Sequence, residues 1–90
     1  MNKKELADKV AEQFGLSKRQ AGEIVDFVFG DLINTVRSGN EASLAGFGSF
    51  SLAYRRARKG INPRTGERIN ISATRVPKFR PAKAFKEAVK

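Results

Sequence analysis

The residues best suited to chemistry lie between Tyr54 and Gly66, where positive charge is dense and apolar side chains are scarce. The basic residues of this segment are Arg55, Arg56, Arg58, Lys59 and Arg64. Ile61 is its only large apolar side chain. Guanidinium groups bind phosphate oxygens in pairs, and they also enter a narrow minor groove. The segment is therefore suited to contacting a polyanion, although a disordered loop has the same composition.

A proline follows where this basic segment turns. Asn62-Pro63-Arg64-Thr65-Gly66 is the strongest turn signal in the chain. Proline has no N–H to leave unpaired, and its rigid ring is among the side chains that part a DNA base step. Proline is also a common turn residue, so Pro63 alone does not separate a wedge from an ordinary turn.

The excess of positive charge is confined to the second half of the chain. Residues 1–52 contain six Lys/Arg and seven Asp/Glu, whereas residues 53–90 contain twelve Lys/Arg and two Asp/Glu. The two parts therefore have net charges of −1 and +10. A charge concentrated in this way attracts a polyanion, while a surface charged only for solubility would mix the signs.

The composition also argues against several classes of function. The 90 residues include neither Cys nor His, so we expect no metal and no cofactor. Glu67 and Glu87 are isolated from each other, and no nucleophile–base pair suggests an enzyme or a small-molecule substrate. We expect a cytoplasmic protein, because no apolar run approaches the roughly 20 residues that cross a bilayer.

The first half predicts two helices. Apolar spacing indicates a first helix from Lys3 to Phe14, ended by a left-handed cap at Gly15. Ser17 and Gln20 form a capping-box pattern for a second helix, which should run from Lys18 to Ser38. Its apolar positions span an arc of about 180°, wider than one core contact needs. This face suggests contact with two elements, one of which could belong to another subunit.

The second half predicts strands. Residues 43–45 and 50–54 have strand character and are joined by a connection at residues 46–49. The segments on either side of the Asn62–Gly66 turn pair most simply as a long hairpin. From Leu52 to Asn62 this arm would reach about 33 Å. Beyond it, Pro77 and Pro81 bracket a short extended piece, and a last helix should begin at Pro81 or Ala82.

The chain resembles the HU/IHF family of bacterial histone-like DNA-binding proteins, and most of all HU, over essentially all 90 residues. The signature residues are Gly46, Phe47, Phe50, Arg55, Arg58, Gly60, Asn62, Pro63, Arg64 and Thr65. The resemblance implies an α+β fold in an intertwined dimer with a helical base, a short antiparallel sheet and an extended β-hairpin arm per subunit. In a single domain, residues 1–40 would form the helical dimerisation base, residues 41–81 the sheet and arm with its tip near 61–66, and residues 82–90 the C-terminal helix.

The resemblance also implies a partner and a set of contacts. The partner is double-stranded DNA, bent and compacted in the nucleoid by arms that enter the minor groove and insert their tip prolines. The DNA-binding residues would be Arg55, Arg58, Asn62, Pro63, Arg64, Thr65, Arg68, Arg75, Lys3, Arg80, Lys83 and Lys86. The dimer core would include Phe29, Phe47, Phe50 and Phe79. The dimer could be a homodimer or a heterodimer with a paralogue.

Two alternatives to HU-like binding with little sequence specificity are open. An IHF-like, sequence-specific DNA-bending factor would have the same fold. Binding to an anionic membrane surface is disfavoured, because the basic residues fall on a predicted hairpin and not on an amphipathic helix. One departure from the family is Ile61, which stands where many HU proteins have a basic residue. It removes one possible phosphate contact and adds an apolar one.

Overall fold

The structure is a computed structural model that describes residues 1–90, with three helices and five strands. The elements are α1 (Lys3–Phe14), α2 (Lys18–Arg37), β1 (Ala42–Leu44), β2 (Gly48–Arg55), β3 (Arg58–Ile61), β4 (Arg68–Ile71), β5 (Thr74–Pro81) and α3 (Lys83–Ala88). The chain divides into two compact units, residues 1–35 and 36–90. The predicted α+β class is confirmed. None of the helices combines the length and the apolar character needed to span a membrane.

The predicted end of α1 and start of α2 are confirmed by their hydrogen bonds, whereas α2 ends at Arg37, one residue before the predicted Ser38. Gly15 caps α1 in the left-handed conformation, with φ 65° and ψ 36°. The next backbone N–H, of Leu16, donates to Ala11 O at 2.9 Å. At the start of α2 the Gln20 N–H donates to Ser17 Oγ at 3.1 Å, and the Ser17 N–H donates to Gln20 Oε1 at 3.2 Å. This reciprocal pair is a capping box, and it sets the first turn of α2.

The helical unit has a small core of small side chains. Ala7, Ala11, Ala21 and Val25 form its buried cluster, and Leu6 and Val10 pack against it. The broad apolar face of α2 is only partly covered. The exposed large apolar residues of this face are Ile24, Val28, Phe29 and Ile33, which are between 40% and 64% exposed. Phe27, which is 72% exposed, lies toward the polar side of the helix. The chain therefore leaves much of its apolar helix surface in contact with solvent.

The second unit is built on an antiparallel sheet with the strand order β1-β2-β5. The connection between β1 and β2 is shorter than predicted, because Gly48 pairs directly with Leu44. The turn is closed by the Phe47 N–H, which donates to Leu44 O at 3.0 Å, and Gly46 adopts a φ of 77° within it. The assignment of residues 48 and 49 to the connection was therefore wrong, and both belong to β2.

The predicted long hairpin is confirmed, and it has a single register. β2 pairs with β5 from Gly48↔Pro81 to Arg55↔Thr74, and β3 pairs with β4 from Arg58↔Ile71 to Ile61↔Arg68. The residue numbers of the two partners in each pair have the same sum in both ladders, so the register does not change between them. The two ladders therefore form one ribbon, interrupted only at residues 56–57 and 72–73.

The prolines of β5 lie where a strand tolerates them. The Ala82 N–H donates to Phe47 O at 2.9 Å, which places alternate backbone nitrogens of β5 toward β2. The nitrogens of Pro77 and Pro81 consequently face the open edge, and no ladder hydrogen bond is lost. The short extended piece expected between these prolines is thus part of an eight-residue strand. Because Pro81 still pairs with Gly48, the last helix begins only at Lys83.

Substitution of Gly48 by alanine should destabilise the protein. A Cβ atom at this position would lie 2.6 Å from Arg80 O and 2.6 Å from the Phe79 ring. Overpacking of this kind should lower the free energy of unfolding by about 1–3 kcal/mol, measured by urea denaturation. Gly22→Ala in α2 is the control, because a Cβ there meets nothing within 4 Å. It should be neutral or stabilising by up to about 1 kcal/mol. Equal unfolding midpoints for the two variants would contradict the close approach at Gly48.

Candidate nucleic-acid interface

The ribbon of β2 and β5 has two chemically different faces, because side chains alternate along each strand. One face, here called the basic face, is formed by Ser49, Ser51, Ala53, Arg55, Thr74, Val76, Lys78 and Arg80. The other, the aromatic face, includes Phe50, Leu52, Tyr54, Arg75, Pro77 and Phe79. Phe50 and Phe79 pair directly across the strands, and their ring centroids are 4.7 Å apart. This contact confirms that the two rings share one face.

Exposed cations follow the basic face along its length. Arg55 lies at the outer end of β2, and Lys78 and Arg80 lie on β5. Lys78 pairs with Ser51 and Arg80 pairs with Ser49, so small side chains lie opposite both cations. All three cations are exposed. The face therefore presents a row of accessible positive charges with no bulky neighbour across the ribbon.

The positive charge of the second half is not neutralised within the chain. The ion pairs of the structure join the N-terminal amine to Glu5, Lys3 to Asp26, and Arg19 to Glu23. None of the twelve basic side chains after residue 52 takes part in one. Lys3, a predicted phosphate contact, has its Nζ 2.8 Å from Asp26 Oδ1 and would have to exchange this carboxylate for a phosphate.

The hairpin extends well beyond the third strand of the sheet. β1 reaches only as far as Phe50, which pairs with Ala42. The eleven residues from Ser51 to Ile61 therefore run in a two-stranded ribbon about 36 Å long. Arg58 and Arg68 are exposed on this arm. Ile61 is 67% exposed, so the residue that departs from the family presents an apolar side chain to solvent.

The turn at the end of the arm is organised by Asn62. Its backbone N–H donates to Glu67 O at 2.8 Å, and its carbonyl accepts from the Gly66 N–H at 2.7 Å. Its side-chain Oδ1 accepts from the Arg64 N–H at 2.9 Å. Gly66 closes the turn with a φ of 73°. Pro63 is exposed at the tip of this turn, one residue beyond the hydrogen-bonded Asn62.

Two of the predicted DNA-binding residues thus shape the turn in the free protein. The backbone N–H, the carbonyl and the side-chain Oδ1 of Asn62 all form hydrogen bonds within the turn. Thr65 Oγ1 accepts a further one from the Glu67 N–H at 3.3 Å. The side chain of Arg64, by contrast, is exposed at the tip. Local hydrogen bonds therefore define the conformation of the turn that presents Pro63 and Arg64.

Arg75 lies apart from the other predicted contacts. It pairs with Tyr54 on the aromatic face, and its Nη2 donates to Arg37 O at 2.7 Å. Arg55, Lys78 and Arg80 lie on the opposite side of the same ribbon. The structure therefore does not bring Arg75 together with the basic face.

A cluster of four phenylalanines covers the sheet end of this unit. Phe47 lies within 5.4 Å of both Phe79 and Phe85, measured between ring centroids, and within 6.3 Å of Phe50. Phe47 is 45% exposed and Phe79 is 39% exposed. Three of the four predicted dimer-core residues therefore lie together. The fourth, Phe29, belongs to the helical unit and is 40% exposed.

Helix α3 adds two cations near the aromatic cluster. Lys83 and Lys86 are three residues apart, so they lie about 60° from each other around the helix. Phe85 lies about 100° or more from both of them. One side of this short helix thus joins the rings through Phe85, and another side presents the two predicted phosphate contacts to solvent.

The sequence reasoning missed two residues of this surface. Lys78 is absent from the predicted contacts because a short extended piece between Pro77 and Pro81 assigns it no face. The strand period of two that it shares with Arg80 is the signal that identifies it. Phe85 is absent from the predicted dimer core, and its position on the side of the last helix away from Lys83 and Lys86 is the signal that identifies it. Both omissions concern the C-terminal segment.

Comparisons with known proteins agree with this architecture. The sequence profile of the bacterial DNA-binding protein family matches residues 1–90. The chain is 51% identical over its full 90 residues to "DNA-binding protein HU" of Geobacillus stearothermophilus, all of which is covered. It is also 51% identical to "SPbeta prophage-derived DNA-binding protein HU 2" of Bacillus subtilis, covering 98% of that protein.

A solved structure extends the likeness to three dimensions. The Anabaena HU–DNA cocrystal structure superposes with a TM-score of 0.89 at 46% identity, covering 99% of this chain and 97% of the Anabaena chain. The match includes the arm as well as the helices, because it leaves almost no residue of either chain unaligned. With its basic ribbon, its proline-tipped turn and its full-length similarity to HU proteins, the chain belongs to the HU/IHF family of bacterial DNA-binding proteins.

Proposed function

We propose that this chain is an architectural protein that binds double-stranded DNA through the minor groove and bends it. The observation that carries the proposal is the arm itself: exposed cations without acidic partners lead along one ribbon to an exposed proline. The HU–DNA complex of Anabaena, which has the same fold, supports DNA as the ligand. A DNA-binding protein of this bacterial family would act in the nucleoid.

The proposed contacts lie on the arm, on β5 and α3, and at the start of α1. Arginine side chains on the arm would enter the minor groove, and lysines would neutralise the phosphates that flank it. The proposed contacts are Arg55, Arg58, Arg64, Arg68, Lys78, Arg80, Lys83, Lys86 and, after release from Asp26, Lys3. Asn62 and Thr65 would act chiefly by holding the tip in the shape that presents Pro63.

The bending step would be performed by Pro63. An apolar ring inserted between two base pairs unstacks the step and kinks the duplex, and the bent duplex then touches more of the protein. The hydrogen bonds around Asn62 hold the tip before DNA arrives, which lowers the entropy lost when the ring is inserted. Ile61, exposed just before the turn, would add apolar contact with the groove wall.

A homodimer would complete the molecule. The aromatic cluster and the α2 face are only partly covered in one chain, and the buried core of the helical unit consists of three alanines and one valine. A second copy placed by a two-fold axis would cover these surfaces and set two arms on one duplex. Within this single domain, residues 1–40 would form the dimerisation base, residues 41–81 the sheet and arm, and residues 82–90 the C-terminal helix.

Little sequence specificity is expected of this arm. The minor groove offers a degenerate pattern of donors and acceptors, so arginines and a proline report its width and flexibility more than its sequence. Selection from random duplexes tests this point. Enrichment of a single motif would favour an IHF-like, site-specific bending factor instead.

Removal of the Lys78 charge should weaken DNA binding in a salt-dependent way. If Lys78 neutralises one phosphate, Lys78→Gln should lower the slope of log affinity against log salt by about 0.9, because one fewer counterion is released. The slope is measured by fluorescence anisotropy with a duplex of fixed length. Lys9→Gln on α1 is the charge-matched control and should leave the slope unchanged. The same slope for wild type and both variants would remove Lys78 from the interface.

Replacement of Pro63 should reduce bending more than binding. Pro63→Ala keeps the cations of the arm but removes the rigid ring, so affinity should fall by less than about tenfold while the bend relaxes. Fluorescence transfer between the two ends of a duplex measures the bend. Pro77→Ala is the control, because Pro77 lies on β5, away from the tip. An unchanged bend with Pro63→Ala would exclude the wedge.

The proposed dimer has a measurable mass. Sedimentation equilibrium should give about twice the 9.9 kDa of one chain. Phe47→Asp should shift the equilibrium toward monomer and lower the unfolding midpoint, because it places a charge in the aromatic cluster. Ile33→Asp tests the exposed apolar face of α2 in the same way. A wild-type mass of one chain at micromolar concentration would contradict the dimer.

A further inference from the structure

Arg75 makes a contact unlike those of the other arm cations. Its Nη2 donates to Arg37 O at 2.7 Å, joining residues 38 apart in sequence. The acceptor is the last carbonyl of α2, one of the groups that a helix leaves without an internal partner. The C-terminal end of a helix also has a partial negative charge. A guanidinium bound there forms a short, charge-assisted hydrogen bond.

The position of Arg75 on the ribbon lets this hydrogen bond restrain the base of the arm. β1 supports β2 only as far as Phe50, and Arg75 pairs with Tyr54 in the two-stranded part beyond. The pairing of the two strands is interrupted at residues 72–73, two to three residues before Arg75 in the chain. The bond to Arg37 thus restrains the ribbon between the end of its sheet support and the first interruption of its ladder.

We infer that Arg75 is a positioning residue, which braces the base of the arm against the Arg37 carbonyl and does not itself contact DNA. The inference rests on the proposed function, since the arm is braced for DNA binding. Arg75 lies on the aromatic face, opposite Arg55, Lys78 and Arg80, so one side chain cannot serve the brace and the basic face together. An arm base that is ordered in advance loses less conformational entropy when DNA binds.

The first test uses the DNA-free protein. Arg75→Gln should accelerate amide hydrogen exchange at Ala53, Arg55, Thr74 and Val76, whose N–H groups face the ladder, about fivefold, because one net hydrogen bond is lost. Arg68→Gln is the matched control: it removes the same charge from the outer arm and should leave these amides unchanged. Unchanged exchange in Arg75→Gln, or equal acceleration in both variants, would overturn the brace.

The second test separates positioning from contact with DNA. Arg75→Gln should weaken duplex binding up to about fivefold at every salt concentration, with the wild-type slope of log affinity against log salt. Arg55→Gln on the basic face should lower that slope by about 0.9. A slope lowered equally by both variants would make Arg75 a phosphate contact and overturn the inference.

A charge-conserving variant keeps the test decisive if Arg75→Gln fails to fold. Arg75→Lys retains the positive charge but has a shorter reach and no guanidinium fork, so amide exchange at Thr74 and Val76 should accelerate while the salt slope stays that of wild type. Wild-type exchange in Arg75→Lys would overturn the brace. Failure of the proposed function is recognised separately, because wild-type protein would then show no salt-dependent binding and no bend, whatever the exchange measurements give.

Discussion

The rest of the structure depends on the single register of the β-ribbon. Pairing from Gly48↔Pro81 to Ile61↔Arg68 follows one alignment, so each side chain of β2 and β5 is assigned to a face by its position. A slip by one residue would exchange the aromatic and basic faces. The close approach of Gly48 to the Phe79 ring sets the alignment at one end, and the hydrogen-bonded Asn62–Gly66 turn sets it at the other.

This register separates two physical tasks that would conflict on one surface. Apolar rings need cover from water, whereas cations destined for phosphates need exposure. Alternation along β2 and β5 places Phe50 and Phe79 on one side and Lys78 and Arg80 on the other. The cations have no acidic partners in the second half, so they repel one another until an anionic ligand neutralises them.

The small core of the helical unit has a consequence for assembly. Ala7, Ala11 and Ala21 bring helices close together but bury little apolar area per residue. A chain of 90 residues that also extends a long, polar arm has few other groups to bury. The exposed apolar residues of α2 and the aromatic cluster are the surfaces that could supply the missing burial, and the proposed two-fold partner would cover both.

The sequence by itself determined the charge division, the helix caps and the tip of the arm. Gly15, the Ser17–Gln20 box and the Asn62–Gly66 turn depend on residues no more than five apart, so a local pattern predicts them. Only the tertiary structure decided which cations share a face. Strand pairing places Lys78 on the same face as Arg80 and Arg55. Arg75 lies on the other face and donates a hydrogen bond to a carbonyl 38 residues away in the sequence. Strand pairing and such distant contacts are non-local, and no spacing within one segment specifies them.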